Sequence, residues 1–129
     1  MSESALKRLK LEMIKEYGTI CWFGNIKDNK LTAHHIIPRR ENGATTWENI
    51  ALLNRKWHDF FNLIELRDPK TARELNELFY ELNRTFAPPT REHFEEINGL
   101  LQMRGWDEEK KTLTLKTLCA TQVYLEKFL

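Results

Sequence analysis

The stretch LTAHHIIPRRENGATTWENIALLNRKWHDFFN, residues 31–62, decides the fold. Leu31 to Ile37 reads as an extended segment, which Pro38 ends. Arg39 to Glu48 reads as a loop around Asn42-Gly43. Asn49-Ile50-Ala51-Leu52-Leu53 is short enough for a strand, and Asn54 is a good N-cap for a helix from Arg55 to about Leu66. Three of the chain's four histidines lie in this stretch. His34 and His35 are neighbours on a strand, so they point to opposite faces unless the strand ends there and twists. His58 and Asn62 are an i, i+4 pair on one face of the helix. A strand-borne histidine facing a helix-borne histidine is how a small fold can clamp a divalent metal.

Outward from this stretch, the chain reads as helix on both sides. SESALKRLKLEMIKEY places Leu6, Leu9, Met13, Ile14 and Tyr17 on one stripe, and Gly18 stops it. Thr19 to Phe23 is rich in β-formers and ends at Gly24-Asn25, so it is expected to pair with Leu31–Ile37 in a hairpin turned by Lys27-Asp28-Asn29-Lys30. Asp68-Pro69 is an N-cap with proline in the first turn, followed by the stripe Leu75, Leu78, Phe79, Leu82 and Phe86. Pro88-Pro89 breaks that pattern. Thr90 opens a helix carrying Phe94, Ile97 and Leu101, which Gly105 ends, and Asp107 caps a last helix towards Leu129. Trp22, Trp47, Trp57 and Trp106 are expected as core or loop anchors, and His93, among Glu92, Glu95 and Glu96, as a surface residue.

Composition sets outer limits. The 129 residues are 41% hydrophobic and 30% charged, a globular composition. The longest uncharged run, Tyr17 to Ile26, is about half the ~20 residues of a spanning helix, so no membrane role is expected. Lys7, Arg8, Lys10 and Lys15 break up any apolar leader, and the expected location is cytoplasmic. Cys21 and Cys119 offer no disulfide framework and read as buried thiols. The net charge of +1 conceals a gradient. Residues 1–62 sum to +3 and residues 63–129 to −2, with an acidic stretch from Glu65 to Glu96. That stretch reads either as a solvated face or as a protein-docking surface.

The run His34-His35-Ile36-Ile37-Pro38, with Gly43, Asn49 and His58 following, resembles the HNH endonucleases and their ββα-metal fold. His35 and Asn49 stand fourteen positions apart and Asn49 and His58 nine, in keeping with that family. The resemblance implies an α+β fold: a ββα-metal core with an N-terminal helix and about three C-terminal helices. It would be a single domain over 1–129, with the HNH-like core at about 19–66 and a helical part at about 69–129.

The same resemblance assigns roles. His35 would be the general base that takes a proton from the attacking water. His34 and His58 would be metal ligands, with Asn62 a weaker candidate and Asp59 a fallback. Asn49 would bond backbone across the loop and hold His35 at the phosphate. Arg39, Arg40, Arg55 and Lys56 flank the site and would hold neighbouring phosphates, although such residues are as often a solvated face. The implied activity is metal-dependent hydrolysis of DNA phosphodiesters, leaving 5′-phosphate and 3′-hydroxyl ends. One divalent ion is expected, and Mn²⁺, Ni²⁺, Zn²⁺ and Mg²⁺ stay open.

Many relatives brace this fold with zinc on two cysteine pairs. Here Cys21 stands alone in the first region, while Asn54 and Trp57 occupy the second, so no structural zinc is expected and packing must replace it. The near-zero charge and acidic helices leave a rival of another class. In it, a non-catalytic HNH-like module binds another protein, as an inhibitor or assembly factor, through its C-terminal helices.

Overall fold

The computed structural model describes the backbone of residues 3–128 and the side chains of residues 4–118. It is an α+β structure with two antiparallel strands and five α-helices among the described residues. Helix α1 (Glu3–Tyr17) buries Met13 and Tyr17 and stops at Gly18, whose φ of +81° is readily open only to glycine. Strands β1 (Leu31–His35) and β2 (Ile50–Asn54) pair so that His35 lies opposite Ile50 and His34 opposite Ala51. Every residue of β2 is buried, which explains its unbroken apolar run. The intervening loop contains two short 3₁₀ turns, Arg39–Glu41 and Trp47–Asn49.

The expected hairpin between Thr19–Phe23 and Leu31–Ile37 does not form. Ile20 instead makes an isolated bridge with Lys27, and the Trp22 N–H donates to the Leu52 carbonyl at 2.8 Å. Cys21, Trp22 and Phe23 are all buried in succession, which an alternating hairpin strand with one wet face cannot achieve. Asn25, at φ 48°, turns the chain back before the Lys27–Lys30 segment is reached. Gly24 lies against the Trp57 indole so closely that a Cβ would sit 2.1 Å from its ring.

Helix α2 (Arg55–Arg67) starts where Asn54 accepts the Trp57 N–H at 3.0 Å, and it buries Trp57, Phe60, Phe61 and Ile64. Helix α3 (Pro69–Asn83) starts at the Asp68 cap, and α4 (Arg91–Met103) where Thr90 accepts the His93 N–H at 3.2 Å. Helix α5 (Glu108–Phe128) follows Gly105 and the Asp107 cap. One hydrophobic cluster runs from Met13 to Leu115 and includes Trp22, Trp57 and Trp106, with Trp47 packed against it. Cys21 is buried within it; the Cys119 side chain lies outside the described residues.

Two expectations outside the strands need correction. Phe86 does not continue the α3 stripe. The helix ends at Asn83, the Thr85 hydroxyl donates to the Leu82 carbonyl, and Phe86 stands exposed at φ 52° beside Trp47. His93 is not a surface residue. It lies four residues before Ile97 and eight before Leu101, on the inward face of α4, and its Nε2 is 2.7 Å from the Trp22 carbonyl oxygen.

Candidate metal and nuclease site

The pleat divides the two neighbouring histidines. His34, only 5% exposed, turns inward between Phe61 and Phe79, with ring centroids 4.3 and 5.8 Å away. His58 reaches it from α2, at 5.3 Å between centroids in an edge-to-face arrangement. His35 stays half-buried on the loop side, where its Nε2 lies 2.9 Å from the Thr45 hydroxyl. It is within electrostatic range of both other rings.

The hydrogen bonds around the inner pair bear on which ring nitrogens are free. The Thr32 hydroxyl donates to the Leu53 carbonyl at 2.6 Å, so its one proton is committed. It can therefore only accept from His58 Nδ1, 2.8 Å away, which leaves His58 Nε2 as a bare lone pair. On His34, Nε2 lies 2.8 Å from Asn76 Oδ1 on α3, an oxygen that can only accept. With the Asn76 amide in this orientation the ring proton sits on Nε2 and Nδ1 is bare.

Electrostatics keep both rings neutral. Burial is the main cause that lowers the His34 pKa from 6.5 to about 4. Burial, then the cost of a second positive charge beside the His34 ring and Arg55, lowers His58 to about 4 as well. Burial and Arg39 also hold His35 below the ordinary range. A neutral imidazole with its far nitrogen tied is the form in which histidine ligates metals. Among the described residues, no group of three or more His, Cys, Asp or Glu is assembled to hold an ion. The two bare nitrogens, His34 Nδ1 and His58 Nε2, are the donors that could hold a divalent ion, with water or phosphate oxygens completing the coordination.

Asn49 is 8% exposed and clamps the loop. Its Oδ1 accepts the Ile37 N–H at 2.7 Å, while its Nδ2 donates to the carbonyls of Ile37 at 3.0 Å and Ala44 at 2.9 Å. Ala44 precedes Thr45, so one side chain ties the end of the His35 strand to the residue that touches the His35 ring. Gly43 is enclosed by the same turn, where a Cβ would lie 1.7 Å from the Ile37 carbonyl oxygen. Asn83 braces this loop from α3 by donating to the carbonyls of Trp47 at 2.6 Å and Ile50 at 2.9 Å.

The remaining candidates divide. Asn62 is exposed one turn beyond His58. Asp59 is bound by Arg55 at 2.6 Å and is not free to act as a fallback ligand without breaking that pair. Arg40 is likewise paired with Glu65 at 3.0 Å, whereas Arg39 and Lys56 are exposed with no carboxylate partner among the described residues. Part of the acidic stretch is neutralised within the fold, by Arg40–Glu65, Arg104–Glu74 and Arg91–Glu95. Thr32, Thr45 and Asn76 escaped the sequence reading. Thr32, two residues before His34, carried a signal in the strand period; Asn76, 42 residues beyond His34, carried none.

No helix of the described residues is long and apolar enough to cross a membrane. No curated protein and no solved structure matches the chain. The segment that does have a match holds both strands, the loop that Asn49 clamps, and the first turn of α2 with His58: residues 19–59 match the model of the HNH endonuclease family.

Proposed function

We propose that the protein is a metal-dependent DNA endonuclease that hydrolyses phosphodiester bonds with His35 as general base. The observation that carries this reading is the division of the three imidazoles. His34 and His58 are neutral, adjacent and tied from behind, while His35 is held separately at the loop. A divalent ion on His34 and His58, with Asn62 one turn on, supplies Lewis acidity at the scissile phosphate when bound. His35 is neutral at physiological pH and takes a proton from the attacking water. Asn49 holds the loop, and with it the direction in which His35 points. Of the four cations that flank the site, Arg39 and Lys56 have no carboxylate partner among the described residues and are free to meet flanking phosphates.

The test is cleavage of supercoiled plasmid by purified protein with Mn²⁺, Ni²⁺, Zn²⁺ or Mg²⁺. Nicked or linear product ending in 5′-phosphate is expected. His35→Ala should abolish it while calorimetric metal affinity stays unchanged, and His34→Ala and His58→Ala should lose both. A metal-loaded, folded protein that leaves plasmid and single-stranded DNA intact would overturn the reading.

A further inference from the structure

We propose that Asn76 of α3 is a positioning residue for the metal: its amide oxygen fixes the His34 ring in the Nε2–H tautomer, so that the ion is taken on Nδ1. This inference rests on the proposed role of His34 as a ligand. Asn76 lies outside residues 19–59, so nothing in the matched segment implies it.

The surroundings of His34 are largely aromatic. Its ring is packed against Phe61, Phe79 and His58, none of which offers it a hydrogen-bond partner, and the 2.8 Å contact with Asn76 Oδ1 is its one polar anchor among the described residues. A buried imidazole with no anchor divides between two tautomers and two ring flips, and only part of that population presents a bare nitrogen to a metal. An oxygen acceptor removes the division, because it can bond only to a protonated nitrogen. Asn76 suits this task. It is half-buried and lines the groove between α3 and the loop carrying Ile36 and Ile37, and its Oδ1 faces His34.

The rest of α3 makes the anchor rigid. Leu75 and Phe79 on either side are fully buried, and the Asn83 amide ties the end of the helix to the carbonyls of Trp47 and Ile50. The same helix therefore sets the back of His34 and the start of β2, whose Ile50 lies opposite His35. On this view α3 is part of the metal centre. Thr32 does the corresponding work for His58 from within the matched segment.

The first measurement needs no metal and no DNA: the ¹⁵N ring shifts of His34 in the metal-free protein at pH 7.5. A protonated Nε2 and a bare Nδ1 are expected. A protonated Nδ1 would mean that Asn76 donates through its NH₂ group, and the inference is overturned. The second measurement is calorimetric Mn²⁺ and Ni²⁺ binding by Asn76→Leu and Asn76→Asp, with unfolding midpoints recorded. Asn76→Leu, which keeps volume and loses the acceptor, should weaken binding by about 10–100-fold, the usual effect of removing a partner behind a ligating histidine. Asn76→Asp keeps an acceptor oxygen and should restore wild-type affinity or exceed it. Asn76→Ala serves if Asn76→Leu does not fold, and the same loss is expected of it. Wild-type affinity in Asn76→Leu, beside lost binding in His34→Ala, overturns this inference alone. Wild-type affinity in His34→Ala overturns the metal reading and this inference with it.

Discussion

Asn49 and Ile37 exchange two hydrogen bonds, the Asn49 amide accepting from the Ile37 N–H and donating to the Ile37 carbonyl. The side chain imitates one rung of a sheet just beyond the point where the β1–β2 ladder ends at His35 and Ile50. Strand pairing is thereby prolonged past the histidine into the turn, and a third bond, to the Ala44 carbonyl, closes the loop. Asparagine is needed because the position must both accept and donate.

That dual demand makes substitutions at Asn49 informative. Asn49→Ala removes three hydrogen bonds to the backbone of Ile37 and Ala44 and should cost about 2–4 kcal/mol in urea unfolding, at about 1 kcal/mol or somewhat more per lost bond. Asn49→Asp keeps the bond from the Ile37 N–H but sets a carboxylate against two carbonyls. It should be at least as damaging at pH 7 and recover part of the loss in acid, where the protonated carboxyl donates again. Equal stability of Asn49→Asp and wild type at pH 7 would show that the two carbonyl bonds contribute nothing.

Gly43 tests the same loop through sterics. A methyl at its Cβ position would meet the Ile37 carbonyl oxygen at 1.7 Å and the Pro38 carbonyl oxygen at 2.8 Å, both of them backbone. Gly43→Ala must therefore open the turn, and the Gly43 N–H bond to Pro38 goes with it. Melting should fall by several degrees, and amide exchange should quicken at Ile37 and Asn49 before it does in β2. Gly99→Ala, where nothing lies within 4 Å, is the control and should be neutral or stabilising. A Gly43→Ala protein as stable as wild type would contradict the described turn.

Acid stability of the metal-free protein follows from the buried rings. His34 and His58 titrate near 4 in the native state against 6.5 for an unperturbed histidine, and His93 is also held low by burial. Between these values the unfolded chain binds protons that the native chain refuses. Their contribution is therefore present in full above about pH 6.5 and is lost as pH falls towards 4. His34 alone should give a slope of roughly 1.4 kcal/mol per pH unit within that window, or about 3 kcal/mol across it. Urea midpoints measured in EDTA from pH 7.5 to 4.5 check this, and His34→Gln should flatten the curve. A wild-type curve flat over that range would mean that the rings are protonated inside the fold.

What was legible in the sequence was whatever is settled within a turn or two. Asn54, Asp68, Thr90 and Asp107 act as caps on nearby amides, and Gly18 and Gly105 adopt positive φ, so the helices could be read from neighbours alone. The histidine and asparagine spacing was legible because a strand, a loop and a helix turn convert it directly into distance. The hairpin was misread because Cys21, Trp22 and Phe23 are β-formers whose joint burial is decided by Leu52, Trp57 and Phe60, all distant in sequence. His93 was misread for a like reason: its charged neighbours are local, while its partner, the Trp22 carbonyl, is 71 residues away. The tautomers could not be read at all, since no spacing rule links Asn76 to His34.

The cations around the site lead to a ranking for DNA binding. Arg55 holds Asp59 through two nitrogens, at 2.6 and 3.1 Å, and Arg40 holds Glu65, so a phosphate must compete with a carboxylate already in place. Arg39 and Lys56 face no such competition among the described residues. Arg39→Ala and Lys56→Ala should each flatten the slope of log affinity against log salt by about 0.9 on duplex DNA, the value of one lost phosphate contact. Arg40→Ala and Arg55→Ala should flatten it by less. They should still weaken binding, because each leaves a carboxylate unneutralised beside the duplex. Adding Asp59→Ala to Arg55→Ala removes that repulsion and should return most of the affinity, which a direct Arg55–phosphate contact would not allow. Equal flattening by all four replacements would make them a single clamp and refute the ranking, and an unchanged slope in every variant would put the duplex on another face of the protein.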